Sequence, residues 1–143
     1  MIGAEHTVNR KACIACGECV QNCPTGALEI CGKDMSIDEI MDIVKKDLAF
    51  YGERGGITLS GGEPFAQSGE VLMLLSRCKS EGISTAIETC GYGDREAFLS
   101  AVQHVDIFLW DVKDTDSERP FRYTGVSNDT IIFTKGESKV VYP

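Results

Sequence analysis

The apolar residues of this chain follow a regular pattern only from Ser36 onward. Between Ser36 and Tyr51 they recur every three or four positions, which predicts a helix with one buried face. Ser36 followed by Glu39 is a capping-box sequence, so we expect the helix to begin there. The apolar positions of this helix are Ile37, Ile40, Met41, Val44, Leu48 and Tyr51.

Three short apolar runs after this helix predict strands, and helical patterns separate them. The runs are Ile57 to Ser60, Ile83 to Thr89 and Val105 to Lys113. The helical patterns run from Val71 to Cys78 and from Phe98 to Val102. Gly82 and Asp94 stand at the expected C-cap and N-cap of these two helices. The chain therefore repeats a strand-helix unit, which is typical of parallel α/β folds.

The third predicted strand is apolar on both of its faces. Its alternating positions are Ile107 and Leu109 on one face, and Phe108, Trp110 and Val112 on the other. Such strands are typical of parallel sheets that are covered by helices. The pattern predicts an α/β barrel or a doubly wound sheet, with the chemistry at the carboxyl ends of the strands. A complete barrel needs more strand-helix units than this chain holds.

The segment before the first helix is rich in cysteine instead of apolar residues. Its cysteines have the spacing C-x2-C-x2-C-x3-C-P of bacterial ferredoxins, which hold 4Fe-4S clusters. They are Cys13, Cys16, Cys19 and Cys23. We expect residues 1–33 to form a ferredoxin-like 4Fe-4S segment for electron transfer, held together by its cofactor, and residues 34–143 to form the α/β part.

The fourth cysteine of this motif, Cys23, can ligate a cluster other than the one held by the first three. In two-cluster ferredoxins it ligates the other cluster, so Cys23 implies a partner cluster or a remote completing ligand. The candidates for that ligand are Cys31, Cys78 and Cys90. A zinc site favours two well-separated C-x2-C pairs, and disulfides between cysteines this close are strained, so both alternatives are disfavoured.

Charge and composition exclude several classes of function. A formal net charge of −8 argues against nucleic-acid binding, which requires clustered Lys and Arg. No apolar stretch approaches the length of a membrane span, and the N-terminus has no signal-peptide pattern. We therefore expect a cytoplasmic location, where seven cysteines point to metal or redox chemistry.

Polar residues stand at the end of each of the three predicted strands. They are Ser60-Gly61-Gly62-Glu63-Pro64, Glu88-Thr89-Cys90-Gly91 and Asp111-Val112-Lys113. The glycine pair lets backbone approach a ligand closely, which suits an amino-acid head group. Lys113 suits a carboxylate, and Glu88 and Asp111 suit an ammonium group, a hydroxyl or a cation. Each group alone could have a purely structural role: the first as a turn, the second as a solvated strand end and the third as a surface ion pair.

These motifs identify a resemblance to a known family. The segments 56–65, 86–92, 110–113 and 123–128 resemble the glycyl-radical-enzyme activating enzymes of the radical S-adenosylmethionine (SAM) family. The resemblance covers residues 11–131, and the cysteine segment is similar to the ferredoxin insert of many members. It implies a partial radical SAM (βα) barrel in which SAM is cleaved reductively to generate a glycyl radical on a partner enzyme.

The resemblance also implies roles for the strand-end residues. Gly61, Gly62 and Glu63 would contact the methionine amino group of SAM. Glu88 with Thr89 would lie at the site of SAM and a monovalent cation. The catalytic pair would be Asp111, near the cation and the incoming glycyl loop, and Lys113, which would contact the SAM carboxylate. A glycyl radical enzyme and a flavodoxin or ferredoxin-type electron donor are the implied partners.

The chain departs from the family in two ways. The C-x3-C-x2-C motif that binds the SAM-cleaving cluster does not occur in it, so we expect this chain alone to be inactive. The tail 133–143 does not continue the expected helix and fourth strand, and we expect a fragment with both barrel ends missing. Two alternatives stay open: a ferredoxin-type electron carrier fused to a partial barrel, and a non-catalytic stub that binds a glycyl radical enzyme.

Overall fold

The computed structural model of the protein describes residues 8–53 and 55–111. They fall into two compact units that divide between Met35 and Ser36. The first unit contains one short helix, α1 (Glu18–Gln21). The helices and strands of the second unit are α2 (Ile37–Lys46), α3 (Leu48–Tyr51), β1 (Gly56–Leu59), α4 (Ser68–Ser80), β2 (Ser84–Thr89), α5 (Arg95–Val102) and β3 (Ile107–Trp110).

The first predicted helix begins as expected but ends early. The Ser36 hydroxyl accepts a hydrogen bond from the Glu39 amide at 3.2 Å, and the Glu39 carboxylate accepts one from the Ser36 amide at 2.7 Å. The chain leaves the helix at Asp47, and α3 then carries Tyr51 back toward α2. The Val44 carbonyl accepts from the Asp47 amide and from the Tyr51 hydroxyl, both at 3.2 Å. These two bonds satisfy the carbonyl that a continuous helix would have paired within itself.

Helix α4 ends and helix α5 begins at the cap residue that the sequence indicates. At the end of α4, Gly82 has φ +73°, its amide bonds the Lys79 carbonyl at 3.1 Å, and the Ile83 amide bonds the Cys78 carbonyl at 2.9 Å. This pair of bonds is a Schellman motif. At the start of α5, the Asp94 carboxylate accepts from the Glu96 amide at 3.1 Å. Both predicted caps are confirmed.

The three strands form one parallel sheet in the order β1-β2-β3. One face of the sheet packs against α4 and α5 in a cluster of buried apolar residues: Phe65, Val71, Leu75, Ile87, Phe98, Ala101 and Phe108. A second cluster joins α2 to α4 and consists of Met41, Val44, Leu74, Cys78 and Ile83. Sequential parallel strands with helices on one face are the winding of a barrel segment and also of one half of a doubly wound sheet, the two folds that the sequence predicts.

The opposite face of the sheet is uncovered within the described part of the chain. Ile107 is 43% exposed and Leu109 37% exposed, while Phe108 between them is buried. Among these residues α4 and α5 both pack on the Phe108 side, so no described helix covers the side of Ile107 and Leu109. Within the same residues, no helix combines the length and apolar character that crossing a membrane requires.

Candidate active site

Polar residues from the carboxyl ends of all three strands line one cavity of about 140 Å³. The lining consists of Ser60, Gly61, Gly62, Glu63, Glu88, Thr89, Cys90 and Asp111. This volume holds several water molecules or one small polar head group. The predicted meeting of the three strand ends is confirmed as far as Asp111. Val112, Lys113, the motif at 123–128 and the tail 133–143 lie outside the described residues.

The loop after β1 exposes its backbone to this cavity. Gly61 has φ +126°, a conformation that favours glycine. A Cβ added at Gly61 or Gly62 would meet no atom within 4 Å, so no neighbouring side chain packs against either position. At the start of the loop, the Ser60 hydroxyl donates to the Glu88 carboxylate at 2.8 Å. The glycine pair therefore presents peptide groups to the cavity and is held from its two ends.

Glu63, at the end of the same loop, is half-buried and fully hydrogen-bonded. Its Oε1 accepts from the Thr89 hydroxyl at 2.7 Å and from the Phe65 amide at 3.1 Å. Its Oε2 accepts from the Cys90 amide at 2.9 Å and from the Cys90 thiol at 3.0 Å. The carboxylate therefore joins the loop after β1 to the end of β2. That Glu63 contacts a ligand stays a prediction.

Glu88 and Thr89 point to opposite faces of β2. The exposed Glu88 lies on the uncovered face, in register with Leu109. Thr89 is 2% exposed, and its hydroxyl donates to Glu63 and accepts from the Gly91 amide at 2.8 Å. Glu88 therefore brings a carboxylate to the open side of the sheet at the cavity, whereas Thr89 does not face that side.

Asp111 is held at the cavity by the backbone of β2. Its amide donates to the Thr89 carbonyl at 3.0 Å, which continues the ladder between β2 and β3 by one residue. Glu88 and Asp111 thus bring two carboxylates to the same small cavity. Because two like charges near each other favour a cation between them, the site suits an ammonium group or a metal cation.

The four cysteines of the ferredoxin-type motif lie in the first unit. Cys13, Cys16 and Cys19 are exposed, and Cys23 is half-exposed. Two of the sulfurs already make hydrogen bonds: Cys13 accepts from the Ala15 amide at 3.4 Å, and the Cys23 sulfur shares one with the Thr25 hydroxyl, 3.6 Å away. The Thr25 hydroxyl and the backbone amides of residues 25, 27 and 28 lower the pKa of Cys23 to about 7.

These thiols suit an iron–sulfur cluster in their chemistry. Thiolates are the ligands of such clusters, and N–H···S bonds around the sulfurs are typical of them. In the part of the chain that the structure describes, no three His, Cys, Asp or Glu side chains come together as a metal site. The ligand set of Cys13, Cys16, Cys19 and Cys23 therefore stays a prediction from the sequence.

The two cysteines of the second unit have different surroundings. Cys78 is fully buried, its thiol lies 3.6 Å from the Met41 sulfur, and burial raises its pKa. Cys78 is therefore a core residue, and its candidacy as a cluster ligand was wrong. Burial and the bond to Glu63 also raise the pKa of Cys90. The Glu63–Cys90 pair has no sequence signature, because the motif spacing shows the strand ends but not which side chains meet.

Comparison with known proteins places the chain in a family. Residues 16–132 match the family model described as the radical SAM superfamily. The chain belongs to the radical SAM superfamily. Its relatives include the choline trimethylamine-lyase activating enzyme of Oleidesulfovibrio alaskensis, with 45% identity over 121 residues, or 84% of this chain and 39% of the relative. The trans-4-hydroxy-L-proline dehydratase activating enzyme of Clostridioides difficile is 41% identical over 74% of this chain and 36% of its own length.

A solved structure supports the same fold for this radical SAM chain. A domain of the pyruvate-formate lyase-activating enzyme from Bacteroides vulgatus aligns with a TM-score of 0.50 and 28% identity, over 56% of this chain and 50% of that one. The parallel sheet is therefore part of a radical SAM (βα) fold. The chain spans about 40% of the length of the curated relatives named above.

Superfamily membership implies a 4Fe-4S cluster and SAM as cofactors. The cavity at the strand ends suits the amino-acid head group of SAM. Its exposed glycine backbone and the carboxylates of Glu88 and Asp111 suit the ammonium group of an amino-acid head group, and the cavity suits its size. The SAM-cleaving cluster requires a C-x3-C-x2-C motif, which the sequence does not contain. No step that needs that cluster is therefore assigned to residues of this chain.

Proposed function

We propose that this radical SAM chain forms the SAM-binding and electron-input portion of an activating enzyme for a glycyl radical enzyme. The observation that carries the proposal is the cavity where three parallel strands end, with two glycines and three carboxylates in its lining. Relatives that are named for several different enzymes resemble this chain to a similar degree. The proposal therefore concerns the step that those enzymes share and names no single partner.

The residues of the cavity divide the work of binding. The peptide groups of Gly61 and Gly62 accept from and donate to the methionine part of SAM, where side chains would block close approach. Glu88 and Asp111 attract its cationic groups or bind a monovalent cation, whereas Thr89, expected at the same site, is buried and bonded to Glu63 and Gly91. Lys113, predicted from the sequence to contact the SAM carboxylate, completes the set. These residues would hold SAM, whose reductive cleavage to methionine would supply the radical chemistry that removes a hydrogen atom from a glycine of the partner.

The cysteine segment has the second role. We assign to Cys13, Cys16, Cys19 and Cys23 an auxiliary 4Fe-4S cluster that receives electrons from a flavodoxin or ferredoxin-type donor in the cytoplasm. Hydrogen bonds to Cys13 and Cys23 are the kind of contact that tunes the potential of such a cluster. Since this chain has no C-x3-C-x2-C motif, we propose that it does not form the radical by itself.

Titration of SAM into the anaerobically reconstituted protein tests the proposal. We expect binding in the wild type and binding weakened about tenfold in Glu88→Gln, since that loss corresponds to about 1.4 kcal/mol. Glu96→Gln removes the same charge from an exposed site on α5 and serves as the matched control. An electron carrier or a partner-binding stub would bind no SAM, so the absence of binding in the wild type would refute the proposal.

A further inference from the structure

One residue of the cavity, Cys90, has no role in the function proposed above. It follows β2 directly and makes two hydrogen bonds to a single oxygen, Glu63 Oε2, one from its amide and one from its thiol. Glu63 belongs to a different segment, the loop after β1. The two residues lie 27 positions apart in sequence, so this contact is tertiary.

The loop that Glu63 ends has few other restraints. Gly61 and Gly62 have no side chains, and nothing packs where their Cβ atoms would lie. Glycine also loses more conformational freedom on ordering than any other residue. The loop is therefore held at its ends, by Ser60 bonded to Glu88 and by Glu63 bonded to the end of β2.

The thiol can hold Glu63 only while it keeps its proton. A neutral thiol donates to a carboxylate, whereas a thiolate would repel it. The Cys90 sulfur lies 3.0 Å from Glu63 Oε2 and donates to it. The geometry therefore assigns the thiol as a hydrogen-bond donor and not as a nucleophile.

We propose that Cys90 is a positioning residue for ligand binding: its thiol fixes the Glu63 carboxylate and so pre-orders the Ser60–Glu63 loop around the cavity. The identity of the ligand as SAM rests on the proposed function. Pre-ordering reduces the entropy that the ligand must otherwise offset when it binds to a glycine loop. Because Glu63 is committed to Cys90 and Thr89, the loop contacts the ligand through its backbone.

Two variants separate the thiol's donor function from its bulk. Cys90→Ala removes the donor, and Cys90→Ser keeps a hydroxyl donor in a smaller group. In Cys90→Ala we expect amide hydrogen exchange of residues 60–67 to accelerate about threefold to tenfold, the range expected from losing one hydrogen bond. Peptides from β2 and α4 should keep their exchange rates, and Cys90→Ser should restore most of the protection of the loop.

The same variants are then titrated with SAM. Cys90→Ala should bind SAM about threefold to tenfold more weakly than the wild type, and Cys90→Ser within about twofold of it. Glu63→Gln alone should lose as much SAM affinity as the Glu63→Gln/Cys90→Ala double variant, because the effects of two residues that act through each other are not additive. Independent losses that multiply in the double variant would contradict the coupling.

The two readouts distinguish the failure of this inference from the failure of the proposed function. If the wild type binds no SAM, the proposed function fails, and the exchange of residues 60–67 still decides whether Cys90 orders the loop. If the wild type binds SAM but Cys90→Ala leaves both loop exchange and affinity unchanged, the positioning role is overturned. If Cys90→Ala accelerated exchange equally in all peptides, including those of β2 and α4, Cys90 would contribute only to general stability, and the positioning role would also be overturned.

Discussion

The two units of this chain are stabilised by different means. In residues 36–111, apolar side chains from α2, α4, α5 and the sheet form two buried clusters. Among residues 8–35 the structure describes no buried apolar side chain, and Ile14 is 84% exposed. The second unit can therefore fold by burying apolar surface, whereas we propose that the first gains its stability from a cluster bound by its cysteines.

The largest expected effect is the loss of the cluster from the first unit. Cys16→Ser should abolish the visible charge-transfer absorbance of the anaerobically reconstituted protein, since a tight three-cysteine run supplies its ligands. Hydrogen exchange of residues 8–35 should rise strongly in the same variant, and exchange of 36–111 should not change. Mass spectrometry of exchanged peptides measures both regions at once.

Two results would alter this prediction. Binding of zinc alone, without visible absorbance, would contradict the iron–sulfur assignment. Cys31→Ser provides the comparison outside the motif and should keep the absorbance. A loss in Cys31→Ser equal to that in Cys16→Ser would add Cys31 to the ligands.

A core substitution should affect only the second unit. Leu75 is fully buried between α4 and the sheet, and Leu75→Ala should lower the free energy of unfolding by about 2–5 kcal/mol. Met73 on the same helix is 62% exposed, so Met73→Ala should change it by less than about 0.5 kcal/mol. Denaturant unfolding followed by circular dichroism measures both. A change in cluster absorbance in Leu75→Ala would contradict the independence of the two units.

Local sequence rules predicted the second unit well where a single interaction decides the outcome. The capping box at Ser36, the Schellman glycine at Gly82 and the cap at Asp94 each depend on residues a few positions apart, and each is observed. The meeting of the strand ends also followed, because parallel strands in sequential order bring their carboxyl ends to one edge.

The sequence could not predict features that depend on tertiary contacts. The break at Asp47 depends on Tyr51 reaching the Val44 carbonyl, which the helical pattern does not record. The exposure of Ile107 depends on which face of the sheet the helices cover, and an apolar strand reads the same either way. The bond between Glu63 and Cys90 joins two loops whose facing side chains no spacing rule specifies.

A smaller effect is expected at the start of α2, where the second unit begins. Ser36→Ala should lower the free energy of unfolding of that unit by about 1 kcal/mol, because it removes an N-cap. Ser80 is the last residue of α4, and its hydroxyl donates to the Arg77 carbonyl. Ser80→Ala is therefore a control that removes a hydroxyl without removing an N-cap. Equal losses in the two variants would show that the cap at Ser36 contributes nothing specific.

The same cap makes stability depend on pH. Hydrogen bonds from the Ser36 amide and hydroxyl lower the pKa of Glu39 below its ordinary value of 4.5. A carboxyl whose pKa is lower in the folded protein stabilises it above the unfolded value, and this contribution disappears as the pH falls through the folded value. The difference in unfolding free energy between wild type and Ser36→Ala should therefore be full at pH 7 and shrink below pH 4.5. A difference independent of pH would contradict the role of Glu39.

The smallest expected effect compares how the two units treat a thiol. Burial raises the pKa of Cys78 in the second unit, whereas hydrogen bonds lower the pKa of Cys23 in the first to about 7. Thr25→Val removes the largest of these bonds and should raise the pKa of Cys23 toward the ordinary value of 9.0, without reaching it because the backbone amides remain. Thr25→Ser keeps the hydroxyl and should leave the pKa near 7. The pH dependence of Cys23 alkylation in the metal-free protein, resolved by mass spectrometry, measures the shift. If the midpoint of Cys23 alkylation with pH were the same in Thr25→Val and wild type, the backbone amides alone would stabilise the thiolate. Thr25 would then contribute nothing to the readiness of Cys23 to bind a metal.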